Sequence, residues 1–298
     1  MTKPAQAKQR RGYDSPRTYA WPPLPPHEFE VISVTSAIGG GMPKPHLIGW
    51  AAKVTAQAAI DDHDIVTAML KKPDGERAAI DHVKGARFRD SSAKADRGTI
   101  VHAALESYLA GKPLSKETVE EQLREARVPL NLWKSTAAMI AGLMEFLDDE
   151  EPEILWSEAT VYSRTHGYAG TADLIARMRV GGSVVPVVID VKTSKAIYDE
   201  TALQLCAYAR ADFVGQDDGT EAPLVLERVD VTGMGGEKET LEGADREPIN
   251  YGVVVRPTPT GKYEKAVFTL GDEVFDLFLG CLTVASKKDA LAASRRPS

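Results

Sequence analysis

The chain has 298 residues, 43% hydrophobic and 27% charged, which allows a sizeable core and excludes a collagen, a coiled coil or wholesale disorder. No apolar run approaches the roughly 20 residues that span a bilayer, and MTKPAQAKQRRGYDSPR lacks the apolar stretch of a secretion signal, so a cytoplasmic location without membrane contact is expected. A formal net charge of -7 argues against a surface coated with basic residues for unspecific nucleic-acid binding, but leaves room for a local basic groove.

Residues 1–27 are polar and then proline-rich at WPPLPP, which reads as a disordered tail with a short stiff segment. Its Lys8, Arg10 and Arg11 either touch phosphate or simply keep the tail soluble. Residues 28–97 read as an accessory region that opens with the strand-like EFEVISV. The glycine run in SAIGGGMPKP lacks the Gly-Lys-Ser/Thr ending of a phosphate loop, and a helix is expected only after Pro45, so no ATP site is assigned. From His46 to about Leu70, the spacing of Leu47, Trp50, Ala51, Val54 and Ala58 predicts an amphipathic helix, broken at the DDHD cluster Asp61 to Asp64 before a second short helix. That cluster reads as helix capping rather than as metal ligands.

Residues 98–298 read as the core. Arg97-Gly98-Thr99 is expected to open a helix carrying Ile100, Val101, Ala104, Leu105 and Tyr108, followed by helices over about 115–126 and 130–149. The hydrophobic period then changes. ILWSEATVYS, GYAGTADLIARM and SVVPVVIDVKTS predict three consecutive strands joined at Thr165-His166-Gly167 and Gly181-Gly182. A helix over about 199–213 follows, then strands near 223–232, 250–256 and 264–270 and a closing helix over 272–291, with 233–248 read as a mobile loop. The order makes an α/β fold whose first connections are too short for crossover helices. Cys206 and Cys281 supply neither a disulfide framework nor a tetrathiolate site and are expected as buried thiols.

Side chains alternate along a strand, so in Ile189-Asp190-Val191-Lys192 the carboxylate and the ammonium emerge on one face. An Asp-x-Lys alone is as readily a surface ion pair. Its context is the preceding strand, where Asp173 sits in an apolar run and a hairpin connection brings it beside Asp190. Neighbouring carboxylates repel unless a cation or hydrogen bonds compensate, and a divalent metal is the simplest compensation. His102 adds a helical imidazole sharing a face with Glu106, which reads as its orienting or capping partner. His102, Asp173, Asp190 and the carbonyl of Val191 make a shell that suits Mg2+ or Mn2+ better than zinc.

Five ordered elements resemble the RecB-like branch of the PD-(D/E)XK nuclease superfamily, which includes phage and CRISPR-associated exonucleases. They are Gly98-Thr99-x-x-His102-x-x-x-Glu106, Glu158, Gly170-Thr171-Ala172-Asp173, Asp190-Val191-Lys192 and Gln204-x-x-x-Tyr208. The upstream VTSAIGGGMPKPHLIGWAAK is similar to the opening segment of phage members. The resemblance implies a restriction-endonuclease-like core, a central mixed sheet flanked by helices, with an N-terminal helical region. It implies a metal-dependent DNA exonuclease of phage recombination or replication, with a structure-specific endonuclease or a catalytically weak DNA-binding module as alternatives. His102, Asp173 and Asp190 are then metal ligands, Lys192 acts with Asp190 and Asp173 in catalysis, and Gln204 and Tyr208 line the DNA cleft. Glu158 either meets the metal through water or caps the sheet edge. The four cysteines of iron–sulfur members are missing, so no cluster is expected. A phage single-strand annealing or recombination protein is the partner implied, in the cytoplasm of a bacterial host, with the oligomeric state open.

Overall fold

In the computed structural model, the protein begins with two short strands, β1 (Thr18–Trp21) and β2 (Phe29–Ser33), paired antiparallel with Tyr19 opposite Val31. The structure describes residues 17–21, 29–112, 114–216, 218–232 and 238–287, with 290 and 294. Part of the expected tail is therefore a strand. Its anchor is aromatic: Tyr19 is buried edge-on to Tyr162, which in turn stacks on Phe213 with ring centroids 5.5 Å apart. The remainder of the 1–27 tail lies outside the described residues.

Helix α1 (Val34–Gly41) corrects the expectation that no helix forms before Pro45. The Ser33 side chain accepts from the Ser36 N–H and caps the helix. Gly40 and Gly41 serve packing: a Cβ on Gly41 would lie 2.3 Å from the Cα of Cys281.

The chain divides into two units, the first comprising residues up to 42, 141–258 and from 262 on, the second 43–140 with 259–261. The second unit is helical. It contains α2 (Pro45–Asp61), α3 (His63–Leu70), α4 (Gly75–Leu109), α5 (Lys116–Glu125) and the start of α6 (Leu130–Glu150). The expected break at DDHD is present, yet Asp62 makes no side-chain cap and instead bonds His82 at 2.7 Å. Helix α4 runs unbroken through Gly98, where a helix start and the boundary of the core were expected. One glycine in a long helix costs only about 1 kcal/mol, less than the burial of Ile100, Val101, Ala104 and Leu105 contributes.

The first unit resumes with the meander β3 (Glu153–Ser163), β4 (Tyr168–Val180) and β5 (Ser183–Val191), all antiparallel neighbours, turning at the expected positions. After α7 (Thr201–Ala209) come β6 (Phe213–Gly215), β7 (Glu221–Ala222), β8 (Leu226–Thr232), β9 (Lys238–Arg246), β10 (Tyr251–Pro257) and β11 (Tyr263–Thr269), then α8 (Asp272–Lys287). β9 corrects most of the expected loop 233–248: it pairs antiparallel with β8 over Leu226 to Thr232, and residues 233–237 lie outside the described part.

The main sheet runs β11-β10-β5-β4-β3-β6-β7, with β2 parallel to β4 and β10 parallel to β5. It is therefore mixed, with helices α1, α7 and α8 packed on it through Val34, Ile38, Leu205, Tyr208, Phe278 and Leu282. Cys206 and Cys281 are buried free thiols, as expected, and burial pushes Cys206 up to about 11. Among the described residues no helix is long and apolar enough to cross a membrane.

Candidate metal and catalytic site

Three neighbouring strands and one helix supply the side chains. Asp190 is the penultimate residue of β5, only 1% exposed, and Lys192 follows the strand on the same face. The Lys192 Nζ donates to Asp190 Oδ1 at 2.8 Å and stands 2.8 Å from Oδ2. Asp173 leans from β4 towards β5, where its Oδ2 accepts the backbone N–H of Val191 at 2.7 Å. The carboxylate of this Asp-Lys pair is buried and is held by a third residue, so water screens it less than it screens a surface ion pair.

That third residue is Gln204 on α7. Its Nε2 donates to Asp190 Oδ1 at 2.9 Å and to the Tyr208 hydroxyl at 3.0 Å, while its Oε1 accepts from Lys192 at 3.3 Å. Gln204 therefore turns inward and orients both catalytic candidates. Tyr208 is 2% exposed, so the expectation that it lines a DNA cleft is corrected: it packs in the core and its hydroxyl is satisfied by Gln204. Burial, then the negative charge of Asp190, holds its pKa well above the ordinary tyrosine value. The tyrosine also explains Gly170, since a Cβ there would sit 2.4 Å from Tyr208 Cε1.

Glu158 on β3 adds a carboxylate whose oxygen lies within 4.8 Å of one from Asp173. It stands in the left-handed region with φ 49°, between the ladder pairs Ser157–Leu174 and Ala159–Ala172. A non-glycine residue there costs about 1–2 kcal/mol, and strain of this kind gathers at functional sites. Glu158→Gly should therefore be more stable than Glu158→Ala by about 1 kcal/mol, as measured by denaturant unfolding, although neither keeps the carboxylate. Equal stabilities would argue against the strain.

Burial lowers the pKa of Lys192, but the charges of Asp190 and Asp173 and the hydrogen bond to Asp190 outweigh it, so its pKa is raised and it is an ammonium. In their ionised forms Glu158, Asp173 and Asp190, set against Lys192, sum to two negative charges, which a divalent cation cancels. The donors are hard oxygens, which fit such an ion. His102 is half-buried on α4 and Glu106 is exposed one turn further on. The backbone of Val191 meets Asp173 through its N–H.

Sequence reasoning singled out Asp173, Asp190 and Lys192, which the structure places on β4 and at the end of β5. It assigned Gln204 to DNA rather than to Asp190, and it gave no sign of the backbone at Glu158 or of Tyr19, whose hydroxyl is 2.9 Å from Thr171 Oγ1. The i,i+4 spacing of Gln204 and Tyr208 holds no information about which face of α7 is buried.

A mixed sheet flanked by helices, with Asp173 within β4 and Asp190 and Lys192 at the end of β5, suits the class of metal-dependent phosphodiester hydrolases. The particular family follows from comparison: a model of the PD-(D/E)XK nuclease superfamily matches residues 77–247, and the chain belongs to that superfamily. Its nucleases hydrolyse phosphodiesters with divalent metals, and DNA is the substrate the family implies. No curated protein matches the chain.

Proposed function

We propose that the protein is a DNA exonuclease of the RecB-like kind, serving phage recombination or replication. The observation that supports this best is the network in which Gln204 holds Asp190 and Lys192 together beside Asp173. In this reading His102, Asp173, Asp190 and the carbonyl of Val191 hold Mg2+ or Mn2+, with Mn2+ favoured by the imidazole. When bound, the cation neutralises phosphate charge and lowers the pKa of an attacking water. Asp190 and Asp173 bind and orient it, and Glu158 acts through water. Lys192 positions the water and stabilises the charge that develops on the phosphate. Gln204 keeps the Lys192 ammonium aimed, and Glu106 orients His102. The phage setting rests on the likeness of the segment from Val34 to Lys53, and it carries with it a single-strand annealing partner in a bacterial cytoplasm.

Linear and covalently closed DNA, end-labelled at 5′ or 3′ where linear, are incubated with Mg2+, Mn2+ or EDTA. Degradation of linear DNA alone, with metal, is the expected result. Cutting of closed circles would assign a structure-specific endonuclease instead, and binding without cleavage in any metal would overturn the enzymatic reading.

A further inference from the structure

Helix α4 extends about seven turns in front of His102, five of them from Lys84 onward. Its residues at helical spacing from His102 towards the N-terminus are Gly98, Ala95, Ser91, Phe88 and Lys84. These positions share one face. Lys84, Phe88, Ser91 and Ala95 are all exposed, Phe88 by 41%. No carboxylate interrupts that face. The acids of this stretch, Asp90 and Asp96, lie on other sides of the helix, and Asp90 is held by Lys94 and by Trp50 Nε1 at 3.1 Å.

The far end of the face is basic and aromatic. The guanidinium of Arg87 lies 4.5 Å from the centroid of the Phe88 ring, and its buried Nε meets no acceptor among the described residues. Lys84 makes no ion pair among the described residues. Both cations border an open groove of about 450 Å³ whose floor is Ala52, Ala56, Ala59 and Val83. Two cations without acidic partners, an exposed ring and small side chains between them fit a polyanion with flat apolar bases. An acidic helix would satisfy the cations, but it would leave the ring and the glycine-alanine approach to His102 unexplained.

We infer that this face of α4 is a track for a single DNA strand, with Lys84 and Arg87 on phosphates and Phe88 stacking on a base. Lys84 lies eighteen residues before His102, about 27 Å along the helix, so these contacts fall several nucleotides from the scissile bond. The inference rests on the proposed reading that His102 stands at the reacting centre.

The full chain is titrated in EDTA with a fluorescein-labelled 20-nucleotide single strand and read by anisotropy at several salt concentrations. Lys84→Glu/Arg87→Glu is expected to weaken binding at least about tenfold and to flatten the plot of log K against log salt by about 1.4, the slope of two phosphate contacts. The gentler Lys84→Gln/Arg87→Gln pair should weaken binding about threefold to tenfold with the same change of slope and an unchanged circular-dichroism melt, and Phe88→Ala should weaken it about fivefold or more with no change of slope. Unchanged affinity and slope in both cation pairs, or no strand binding by the wild type, overturns the track; the former assigns the face to an acidic protein. Because the readout needs no turnover, a wild type that binds the strand but never cleaves it defeats the exonuclease reading alone.

Discussion

Replacing Lys192 with alanine is expected to lower turnover by about a thousandfold, the scale on which a single donor to a developing oxyanion acts, while divalent-metal binding persists. The reason is the division of labour in the site. In the proposed reading carboxylates hold the cation, whereas the Lys192 Nζ, 2.8 Å from Asp190, makes no bond a metal needs. Its removal also takes a cation away from Asp190, which is 1% exposed, so the metal-free variant should be less stable than wild type. Mn2+ then raises the melting temperature of the variant more than that of wild type, because it supplies the missing positive charge. Lys192→Arg separates two roles. An arginine keeps the charge but does not give up its proton, so residual cleavage well above that of the alanine variant supports electrostatic stabilisation, and equal inactivity supports a general base. Metal-dependent cleavage by Lys192→Ala at wild-type rates would sink the assignment.

Much of this site was legible because strands announce themselves twice, by alternation and by turns. The segment from Ile154 to Thr193 has both, and its three strands bring Glu158, Asp173 and Asp190 onto neighbouring ladders as the pattern requires. What was not legible depends on partners distant in sequence. The glycines of α1 look like a loop until Gly41 is seen against Cys281 on α8, and the need for Gly170 inside a strand has no visible cause until the Tyr208 ring is found where its Cβ would lie. β1 and β9 are strands because they pair, not because their proline-flanked or glutamate-rich sequences favour one. The inward turn of Gln204 belongs to the same kind, since i,i+4 spacing fixes a face but not its direction.

Asp190→Asn is expected to abolish cleavage and to remove the stabilisation that Mn2+ gives the wild type, for a reason that goes beyond the loss of one ligand. Asparagine has the same size, so β5 and its core neighbours Val188 and Ile189 should be undisturbed. Both donors that Asp190 serves now meet its Oδ1, and the Lys192 ammonium also stands 2.8 Å from Oδ2. With the amide oxygen in the place of Oδ1 the nitrogen opposes Lys192, donor against donor; with the nitrogen there, Gln204 Nε2 and Lys192 both lose the acceptor at that position. Lys192 is then drawn towards Asp173, onto the carboxylate that should bind metal. Outer partners of a metal site commonly cost 10–100-fold in affinity, so if Asp190 is the direct ligand proposed above, its loss, which also misplaces the lysine, should cost more than about a hundredfold. Melting curves with EDTA and with graded Mn2+ test this without activity. The metal-free melting temperature should fall little, because the mutation also removes a desolvated charge, while the Mn2+-dependent rise disappears. If Asp190→Asn still gains stability from Mn2+ at wild-type concentrations, the cation is held elsewhere and Asp190 serves only to anchor Lys192.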